Sequence, residues 1–440
     1  MWNATSRPRA TECIRPLRSA RSSTERAWAC PAAVTLPATA NFLAARRPWH
    51  PVPMLDQDFI YLDYNATAPL AAEAAEAMSA WLAPRAANPS SPHRPGRRAR
   101  AAVEEARGTV AELLAVEPAS IVFTSGGTEA DNLAIWGAFG WPPAGHLVVS
   151  CVEHPAVLEP AAALEAAGVA VTRVDVDDAG RVDLEELELA LRPDTRMISV
   201  MAANHEVGAL QPIEKIASLA RARGVLFHCD AVQAAPWLDL GALTTSADMV
   251  SISAHKLAGP VGVGALFVRR GLPLQPHLRG GSQQAGRRGG TEPVALISGF
   301  AAACRRARRL REEAAQRVGS LRDCLETALL EQVSDAFRSG APEGRLPNTS
   351  HLCFASCDGN ALVARLDLEG VAAASGAACS TGVPETSHVL AAMGIAPRLR
   401  GGALRLSLGY ETSREEIDRA TRIITESVEA LRRAGVESVT

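Results

Sequence analysis

Short apolar segments alternate with helical segments through the middle of the chain, and this alternation restricts the fold more than any other feature. Most apolar segments are separated by about 10 to 15 residues of helical character, as at 155–167 and 212–223. This alternation predicts an α/β fold, in which helices cover both faces of a mostly parallel sheet. The apolar segments are residues 121–124, 146–150, 169–174, 197–201, 225–228 and 249–252.

A seventh apolar segment and the elements after it extend this prediction. Residues 263–268 follow Lys256 too closely for a helical crossover, so we predict an antiparallel strand there. Residues 305–330 have the pattern of a long helix that leads into a second, smaller α+β domain. The elements predicted for that domain are a strand within 346–354, a helix from Asn360, a strand at 403–407 and a helix from Ser413.

The length and hydrophobicity of the chain set its domain organisation. A chain of 440 residues with 47% hydrophobic residues can bury a large core and is expected to form two domains. We predict a large domain at 72–311, and a small domain formed by 54–71 together with 312–440.

Charge and cysteine content exclude several classes of protein. The net charge of -3 gives no reason to expect nucleic acid as a partner. No run of about 18 apolar residues is present, so no membrane span is predicted. The nine cysteines are odd in number and form no C-x-x-C pair, which argues against a zinc site and against a disulfide framework. A reducing compartment, the cytoplasm, is therefore expected.

Residues 1–53 differ from the rest of the chain. They contain eight arginines and seven prolines but only two acidic residues, Glu12 and Glu25, and they show no periodicity. Three interpretations stay open: a spurious extension that precedes the true start at Met54, a mitochondrial transit peptide, and a flexible basic tail. We favour the spurious extension, with the transit peptide second.

Lys256 is conspicuous because lysine is so rare in this chain. Arginine supplies 43 of the 45 basic side chains, and the only other lysine is Lys215 in a predicted helix. A lysine amine can lose its proton and form a Schiff base, which an arginine guanidinium cannot do. Lys256 also follows a predicted strand, where α/β enzymes keep their active sites. The alternative is an ordinary surface lysine.

A glycine pair lies between a predicted strand and a helix at residues 124–132. Backbone N-H groups at the start of a helix bind phosphate, and the Thr128 hydroxyl would point to the same place. Thr128, Glu129 and Asp131 would also serve as ordinary capping residues in the first turn. Both interpretations stay open on sequence alone.

Two more polar side chains follow predicted strands. Asp230 ends one strand, where its carboxylate could hold the proton of a pyridine nitrogen or simply cap the next segment. His154 precedes a helix that starts with Pro155, and its imidazole could stack on a cofactor ring and move protons near neutral pH. A lone histidine is more often structural.

Arg405 and Cys379 are candidates in the second domain. Arg405 lies on an apolar strand, so it requires a carboxylate partner, either from a substrate or from the protein. Cys379 lies among Gly, Ala, Ser and Thr, which favours an accessible and mobile loop. Cys151 and Cys229, by contrast, lie in apolar strand segments and are predicted to be buried and inert.

Taken together, these motifs resemble one family. From about Phe59 to the last helix, the chain is similar to the pyridoxal-phosphate-dependent cysteine desulfurases, in the branch that serves iron-sulfur and nitrogenase cluster assembly. That resemblance implies fold type I of the pyridoxal-phosphate-dependent transferases (class V aminotransferases), with a seven-stranded, mostly parallel sheet in the large domain. The matching motifs are residues 61–69, 124–132, 153–154, 230–233, 253–256, 289–291, 375–379 and 405–409.

The resemblance also implies a role for each matching residue. Lys256 would form the Schiff base with pyridoxal 5'-phosphate, His154 would stack on its ring, and Cys379 would accept sulfur from L-cysteine as a persulfide, leaving L-alanine. Arg405 and Asn204 would bind the substrate. The implied cofactor ligands are Gly127, Thr128, His154, His205, Asp230, Gln233, Ser253, His255, Lys256 and, from the neighbouring subunit of a homodimer, Thr291.

The sequence departs from the family pattern at His205, where an asparagine commonly contacts the cofactor. Because histidine also donates hydrogen bonds, we expect altered tuning and retained activity. A sulfur-acceptor or cluster scaffold protein is the implied partner. The competing hypotheses are a selenocysteine lyase, a class V aminotransferase or epimerase in which Cys379 is incidental, and a catalytically silent scaffold protein.

Overall fold

A seven-stranded sheet lies at the centre of the fold. The computed structural model describes residues 59–82, 87–375 and 387–437. The strands are β1 Ile60–Tyr61, β2 Ile121–Thr124, β3 His146–Ser150, β4 Ala170–Val174, β5 Thr195–Ser199, β6 Leu226–Asp230, β7 Met249–Ser253, β8 Gly264–Val268, β9 Ala336–Arg338, β10 Thr349–Phe354, β11 Val371–Ala372 and β12 Ala403–Ser407.

The topology of the main sheet confirms the predicted α/β class. The strand order is β2-β8-β7-β6-β5-β3-β4. The pairs among β3 to β7 are parallel, and β8 is antiparallel to both of its neighbours, β2 and β7. The antiparallel strand predicted from 263–268 is therefore confirmed. The strand predicted at 197–201 lies two residues earlier in the structure, as β5.

Helices cover both faces of this sheet. The helices are α1 Ala72–Leu82, α2 Arg94–Leu114, α3 Gly127–Phe139, α4 Pro155–Ala166, α5 Leu184–Ala190, α6 Ile213–Arg223, α7 Gly241–Ser246, α8 Val294–Gln332, α9 Gly359–Leu368, α10 His388–Ala392, α11 Pro397–Arg400 and α12 Arg414–Glu437. Adjacent residues of β5 show the arrangement: Met197 packs into one apolar core with Leu133 of α3, and Ile198 packs into the other with Ile216 of α6. Strands buried on both faces account for the unbroken apolar segments in the sequence.

The long helix α8 begins at Val294, earlier than the residue 305 that the sequence predicts. Its first turns are mostly small and apolar, and residues such as Ile297 and Phe300 are buried. A segment that is apolar on all sides has no helical periodicity, so the sequence pattern missed it. α8 packs against α1, α2 and α12 and so links the two ends of the described chain.

Two smaller sheets bring the start of the described chain to its C-terminal part. β12, β10 and β9 form an antiparallel sheet, and β1 pairs with β11 in parallel. Asp63 also forms a β-bridge with Ser407 at the end of β12. These contacts place the residues after β1 next to the Arg405 strand. The domain boundaries at residues 54–71, 72–311 and 312–440 stay a prediction.

Two of the sequence predictions concern residues that the structure does not describe, namely residues 1–53 and Cys379. Within the described ranges, no helix is long and apolar enough to cross a membrane. The same residues contain no cluster of histidine, cysteine and acidic side chains that could hold a metal ion.

Candidate active site

The polar residues predicted from sequence meet at the carboxyl ends of the parallel strands. Asp230 is the last residue of β6, and Lys256 lies in a short turn of 3-10 helix directly after β7. His154 follows β3 and caps α4, while His205 follows β5. Because parallel strands all end at one edge of the sheet, residues far apart in sequence share one site.

A cavity of about 330 Å³ lies at this edge, a size typical of small-molecule sites. The predicted residues that line it are Gly127, Thr128, His154, His205, Asp230, Gln233, Ser253, His255, Lys256 and Arg405. Their individual roles stay predictions, but the structure brings them together. The sequence analysis assigned no role at the cavity to the other lining residues, Asn65, Ala66, Asp131, Ala156, Met201, Ala203 and Val232.

The amine of Lys256 lies against the chain that follows β1. Its Nζ donates hydrogen bonds to the carbonyl oxygens of Asn65 and Ala66, the latter at 2.8 Å. Gln233 also donates to the Asn65 carbonyl, at 2.9 Å. Lys215 is exposed on α6, as an ordinary surface lysine would be. The two lysines of the chain therefore have very different surroundings.

The start of α3 offers backbone N-H groups to the cavity. Its N-cap is Gly126, and no side chain caps it, so the capping role considered for Thr128 is not observed. A Cβ at Gly127 would lie 2.8 Å from Cγ2 of Val232, which only glycine avoids. Glu129 accepts a hydrogen bond from the Ser125 N-H, just before the helix, and binds Arg288, both at 2.8 Å. The helix start is therefore open to an anion.

Asp230 presents a carboxylate at the floor of the cavity. Its side chain is 7% exposed, and Oδ1 accepts a hydrogen bond from the Val232 N-H at 2.8 Å. Burial raises the pKa of Asp230 to about 6, against the lowering effects of this hydrogen bond and of the Lys256 charge. Near neutral pH the carboxylate is largely ionised, and it suits a cationic partner.

His154 has the structural role considered for it, and its role towards a cofactor stays a prediction. Its Nδ1 accepts a hydrogen bond from the Ala156 N-H at 3.0 Å and so caps α4, while the ring also lines the cavity. Burial, with the charge of Lys256 second, lowers the pKa of His154 to about 4. At neutral pH the ring is therefore neutral. With Nδ1 as acceptor, the ring proton is on Nε2.

His205 and Asn204 occupy different environments although they are neighbours in sequence. His205 lines the cavity and meets the His154 ring edge to face, with centroids 5.2 Å apart. Asn204 does not line it: its amide is buried and donates to the Val152 carbonyl, and its Oδ1 accepts from Glu206 and Val207. The substrate-binding role expected of Asn204 stays a prediction, with a structural role now observed.

Arg405 has a protein carboxylate beside it. Nη2 lies 2.8 Å from Oδ1 of Asp63, and Nη1 donates to the His205 carbonyl at 3.1 Å. The side chain is 5% exposed and lines the cavity. Of the two partners considered for this buried arginine, the protein carboxylate is present, and the substrate-binding role stays a prediction.

The remaining predicted site residues are Thr291 and Cys379. Thr291 is exposed and lies outside the cavity, as expected of a residue assigned to a neighbouring subunit, and that assignment stays a prediction. Cys379 lies outside the described residues. Cys229 is buried as predicted, whereas Cys151 is only half-buried, because it lies just past the end of β3.

Asn65 and Asp131 are the lining residues that sequence reasoning undervalued. Both lie inside motifs that carry the family resemblance, but no role was assigned to Asn65, and Asp131 was considered only for helix capping. Asn65 is buried, and its Nδ2 donates to Thr349 Oγ1 at 2.9 Å. Asn65 is a polar residue between β1 and the first helix, and this position was the sequence signal that could have marked it as a site residue.

Comparison with known proteins agrees with this geometry. Residues 60–420 match the Aminotransferase class-V family. The chain is 41% identical over 375 residues to Cysteine desulfurase IscS of Dictyoglomus turgidum, covering 85% of this chain and 95% of the relative. It is 43% identical over 375 residues to Cysteine desulfurase NifS of Azotobacter vinelandii, covering 85% and 93%.

Solved structures give the same result. A protein described as NifS-like superposes with a TM-score of 0.79 at 35% identity, covering 85% of this chain and 100% of the other. SspA in complex with cysteine superposes with a TM-score of 0.71 at 34% identity, covering 79% and 98%. The chain therefore belongs to the class V aminotransferase family and, within it, to the cysteine desulfurases.

Proposed function

We propose that this protein is a pyridoxal-phosphate-dependent cysteine desulfurase, which converts L-cysteine to L-alanine and transfers the sulfur to Cys379 as a persulfide. The observation that carries the proposal is the convergence of three groups on one cavity: the Lys256 amine, the Asp230 carboxylate and the open start of α3. These groups suit an aldehyde, a pyridine nitrogen and a phosphate, respectively.

The residues present fit pyridoxal phosphate. No side chain caps the start of α3 at Gly126 and Gly127, so its backbone N-H groups are open to a phosphate. Thr128, Ser253 and His255 line the same cavity and would hold the phosphate together with the helix start. Gln233 would reach the phenolic oxygen. When bound, the cofactor supplies an electron sink for the bonds at the substrate α-carbon.

The side chains of the protein bind substrate and move protons. Arg405 binds the substrate carboxylate, using the planar guanidinium that Asp63 already orients. Lys256 carries the α-proton. With Nδ1 accepting from the Ala156 N-H, the neutral imidazole of His154 presents its Nε2-H to the substrate as a hydrogen-bond donor. Cys379 attacks the substrate sulfur as a thiolate.

The expected assembly and setting follow from this activity. We propose a homodimer in which Thr291 of one subunit contributes to the phosphate site of the other; Thr291 is exposed in the single chain. The persulfide would pass to a sulfur-acceptor or cluster scaffold protein that builds iron-sulfur clusters or other sulfur-containing cofactors. The cytoplasm is the expected location.

Substitution of the two lysines tests the proposal. The purified protein should show the absorbance of bound pyridoxal phosphate and release sulfide from L-cysteine in the presence of a thiol reductant. Lys256→Ala and Lys256→Arg should stay folded but lose turnover, since neither side chain can form the Schiff base. Lys215→Ala and Lys215→Arg are matched controls and should behave as wild type, because Lys215 is exposed on α6. Retention of a tenth of wild-type sulfide release by either Lys256 variant would contradict the assignment.

A further inference from the structure

The side chain of Asp131 is a buried carboxyl group to which the proposed function gives no role. Asp131 lies on α3, is 1% exposed and lines the cavity. Neither of its carboxyl oxygens has a hydrogen-bond partner within the described ranges of the chain. An ionised carboxylate in such a place is costly, so the group either takes up a proton or pairs with a ligand.

Asp230, a second acid, lines the same cavity. Unlike Asp131, it has a hydrogen-bond donor and a positive charge nearby. Burial raises the pKa of Asp131 well above its usual range, and the charges of Asp230 and then Glu153 add to this, against a lowering effect of the nearby Ser251 hydroxyl. Asp230 has the Val232 N-H and the Lys256 charge to favour its ionised form. Two interacting acids titrate as a pair, and in this pair Asp230 ionises first.

A neutral imidazole lies on the other side of Asp131. Nε2 of His228 is 3.5 Å from Oδ1 of Asp131, and burial lowers the pKa of His228 to about 3. The two ring nitrogens of His228 also face hydroxyls: Nδ1 is 2.8 Å from Ser199 Oγ, and Nε2 is 2.9 Å from Ser251 Oγ. When Nδ1 carries the ring proton and donates it to Ser199, Nε2 is an acceptor facing Asp131.

We propose that Asp131 is a positioning residue of the ring-nitrogen site: it holds a proton as a neutral carboxylic acid directed at His228, so that Asp230 alone carries the negative charge that meets the ring nitrogen. The inference rests on the proposed function, because it assumes that pyridoxal phosphate binds in this cavity. The inference assigns different protonation states to Asp131 and Asp230, the two aspartates that line this cavity. Asparagine resembles a neutral acid in shape and hydrogen bonding. Asp131→Asn should therefore leave the ring-nitrogen site unchanged, whereas Asp230→Asn should remove its negative charge.

Competition between two cofactors tests this assignment. Full-length protein freed of cofactor is titrated with pyridoxal phosphate and with its deaza analogue, in which carbon replaces the ring nitrogen. Wild type should prefer pyridoxal phosphate by roughly tenfold or more, the size of one charge-assisted hydrogen bond. Asp131→Asn should keep this preference, and Asp230→Asn should lose it. Loss of the preference in Asp131→Asn to the same extent as in Asp230→Asn would overturn the inference.

Infrared spectroscopy of the cofactor-free protein supplies a measurement that does not depend on binding. At about pH 8, above the pKa of Asp230, wild type should show the carbonyl stretch of a protonated carboxylic acid that is absent from Asp131→Asn. Burial also raises the pKa of Glu153, to about 8, so Glu153→Gln is the control that identifies the acid band of Glu153.

Isotopic labelling keeps the test decisive if Asp131→Asn does not fold. Labelled aspartate in the wild type should shift an acid band, which distinguishes aspartate from glutamate without any substitution. An aspartate acid band that is absent, or that persists in a folded Asp131→Asn variant, overturns the inference. If wild type fails to bind pyridoxal phosphate, the proposed function fails, while the infrared result still decides the protonation state of Asp131.

Discussion

Nη2 of Arg405 lies 2.8 Å from Oδ1 of Asp63, although the two residues are 342 positions apart. The β-bridges of Asp63 with Ser407 and of Ala374 with Arg405 hold these segments of the chain together at this point. Asp63 contacts Nη2 and the His205 carbonyl accepts from Nη1, while Nε of Arg405 has no partner among the residues described. The ion pair therefore fixes the orientation of the guanidinium and leaves hydrogen-bonding capacity for a second carboxylate.

Arg405→Lys should weaken the binding of L-cysteine. Lysine keeps the positive charge but cannot bind Asp63 and a substrate carboxylate in the planar, two-pronged geometry of arginine. We expect KM to rise by roughly tenfold or more, the size of one charge-assisted hydrogen bond, with a smaller fall in kcat. Steady-state sulfide release against cysteine concentration measures both. Arg365→Lys is the matched control, since Arg365 is half-exposed on α9 and pairs with Glu369 just after that helix. An unchanged KM would show that Arg405 serves Asp63 alone.

The sequence predicted the sheet well because its strands are buried on both faces and read as unbroken apolar segments. It failed at the start of α8, where the residues from Val294 to Cys304 are largely buried and carry no periodicity. In the site, ten predicted residues line one cavity; most of them end or follow a strand or start a helix, whereas Arg405 lies within β12. Asp131 could not be recognised, because its effect comes from long-range contacts with His228 and Asp230 that no local pattern encodes.

His205→Asn should retain most of the activity. His205 contributes a hydrogen-bonding side chain to the cavity wall, and asparagine supplies the same kind of group with less bulk. His205→Ala should lose more, because it removes the ring that meets the His154 ring at 5.2 Å and leaves a cavity beside it. Sulfide release and the absorbance of the bound cofactor are the measurements. Equal losses in both variants would show that the imidazole itself is required.

Glu206 should make stability fall as the pH rises from about 4.5 to about 7. Burial raises its pKa to about 7, against the Ser387 hydrogen bond and the Arg405 charge. In this window the unfolded chain releases the proton and the folded chain retains it, so the free energy of unfolding falls, by at most about 3 kcal/mol. Above about pH 7 Glu206 is ionised in the folded chain too, and the full cost of burying its charge lowers the free energy of unfolding.

Two variants measure this effect of Glu206. Glutamine resembles the protonated acid, so Glu206→Gln should match wild type in thermal midpoint near pH 5 and exceed it near pH 8. Ser387→Ala should move the wild-type decline to higher pH, because Ser387 Oγ donates to Glu206 Oε2 at 2.5 Å and favours the ionised form. A midpoint difference between Glu206→Gln and wild type that stays constant with pH contradicts the assignment.

The last prediction concerns the sulfur acceptor, which the surroundings of the other cysteines help to define. Burial raises the pKa of Cys151 to about 11 and raises those of Cys229, Cys304, Cys353 and Cys357 as well, so these thiols form little thiolate at neutral pH. Cys324 is exposed, but it lies in a surface groove between α8 and α12, apart from the cavity. None of the six described cysteines combines accessibility with a position at the site, which supports the assignment of Cys379.

Cys379→Ser should bind L-cysteine, seen as a change in cofactor absorbance, because Lys256 and Arg405 are intact. It should not release sulfide at an appreciable rate, since a hydroxyl is a far weaker nucleophile than a thiolate. Cys324→Ser is the matched control and should keep full activity. After treatment of wild type with L-cysteine under non-reducing conditions, mass spectrometry should find one added sulfur atom on the peptide that contains Cys379. Sulfur found mainly on the peptides of Cys324, Cys353 or Cys357 would identify a different acceptor, because a persulfide formed at the site marks the thiol that attacked the substrate.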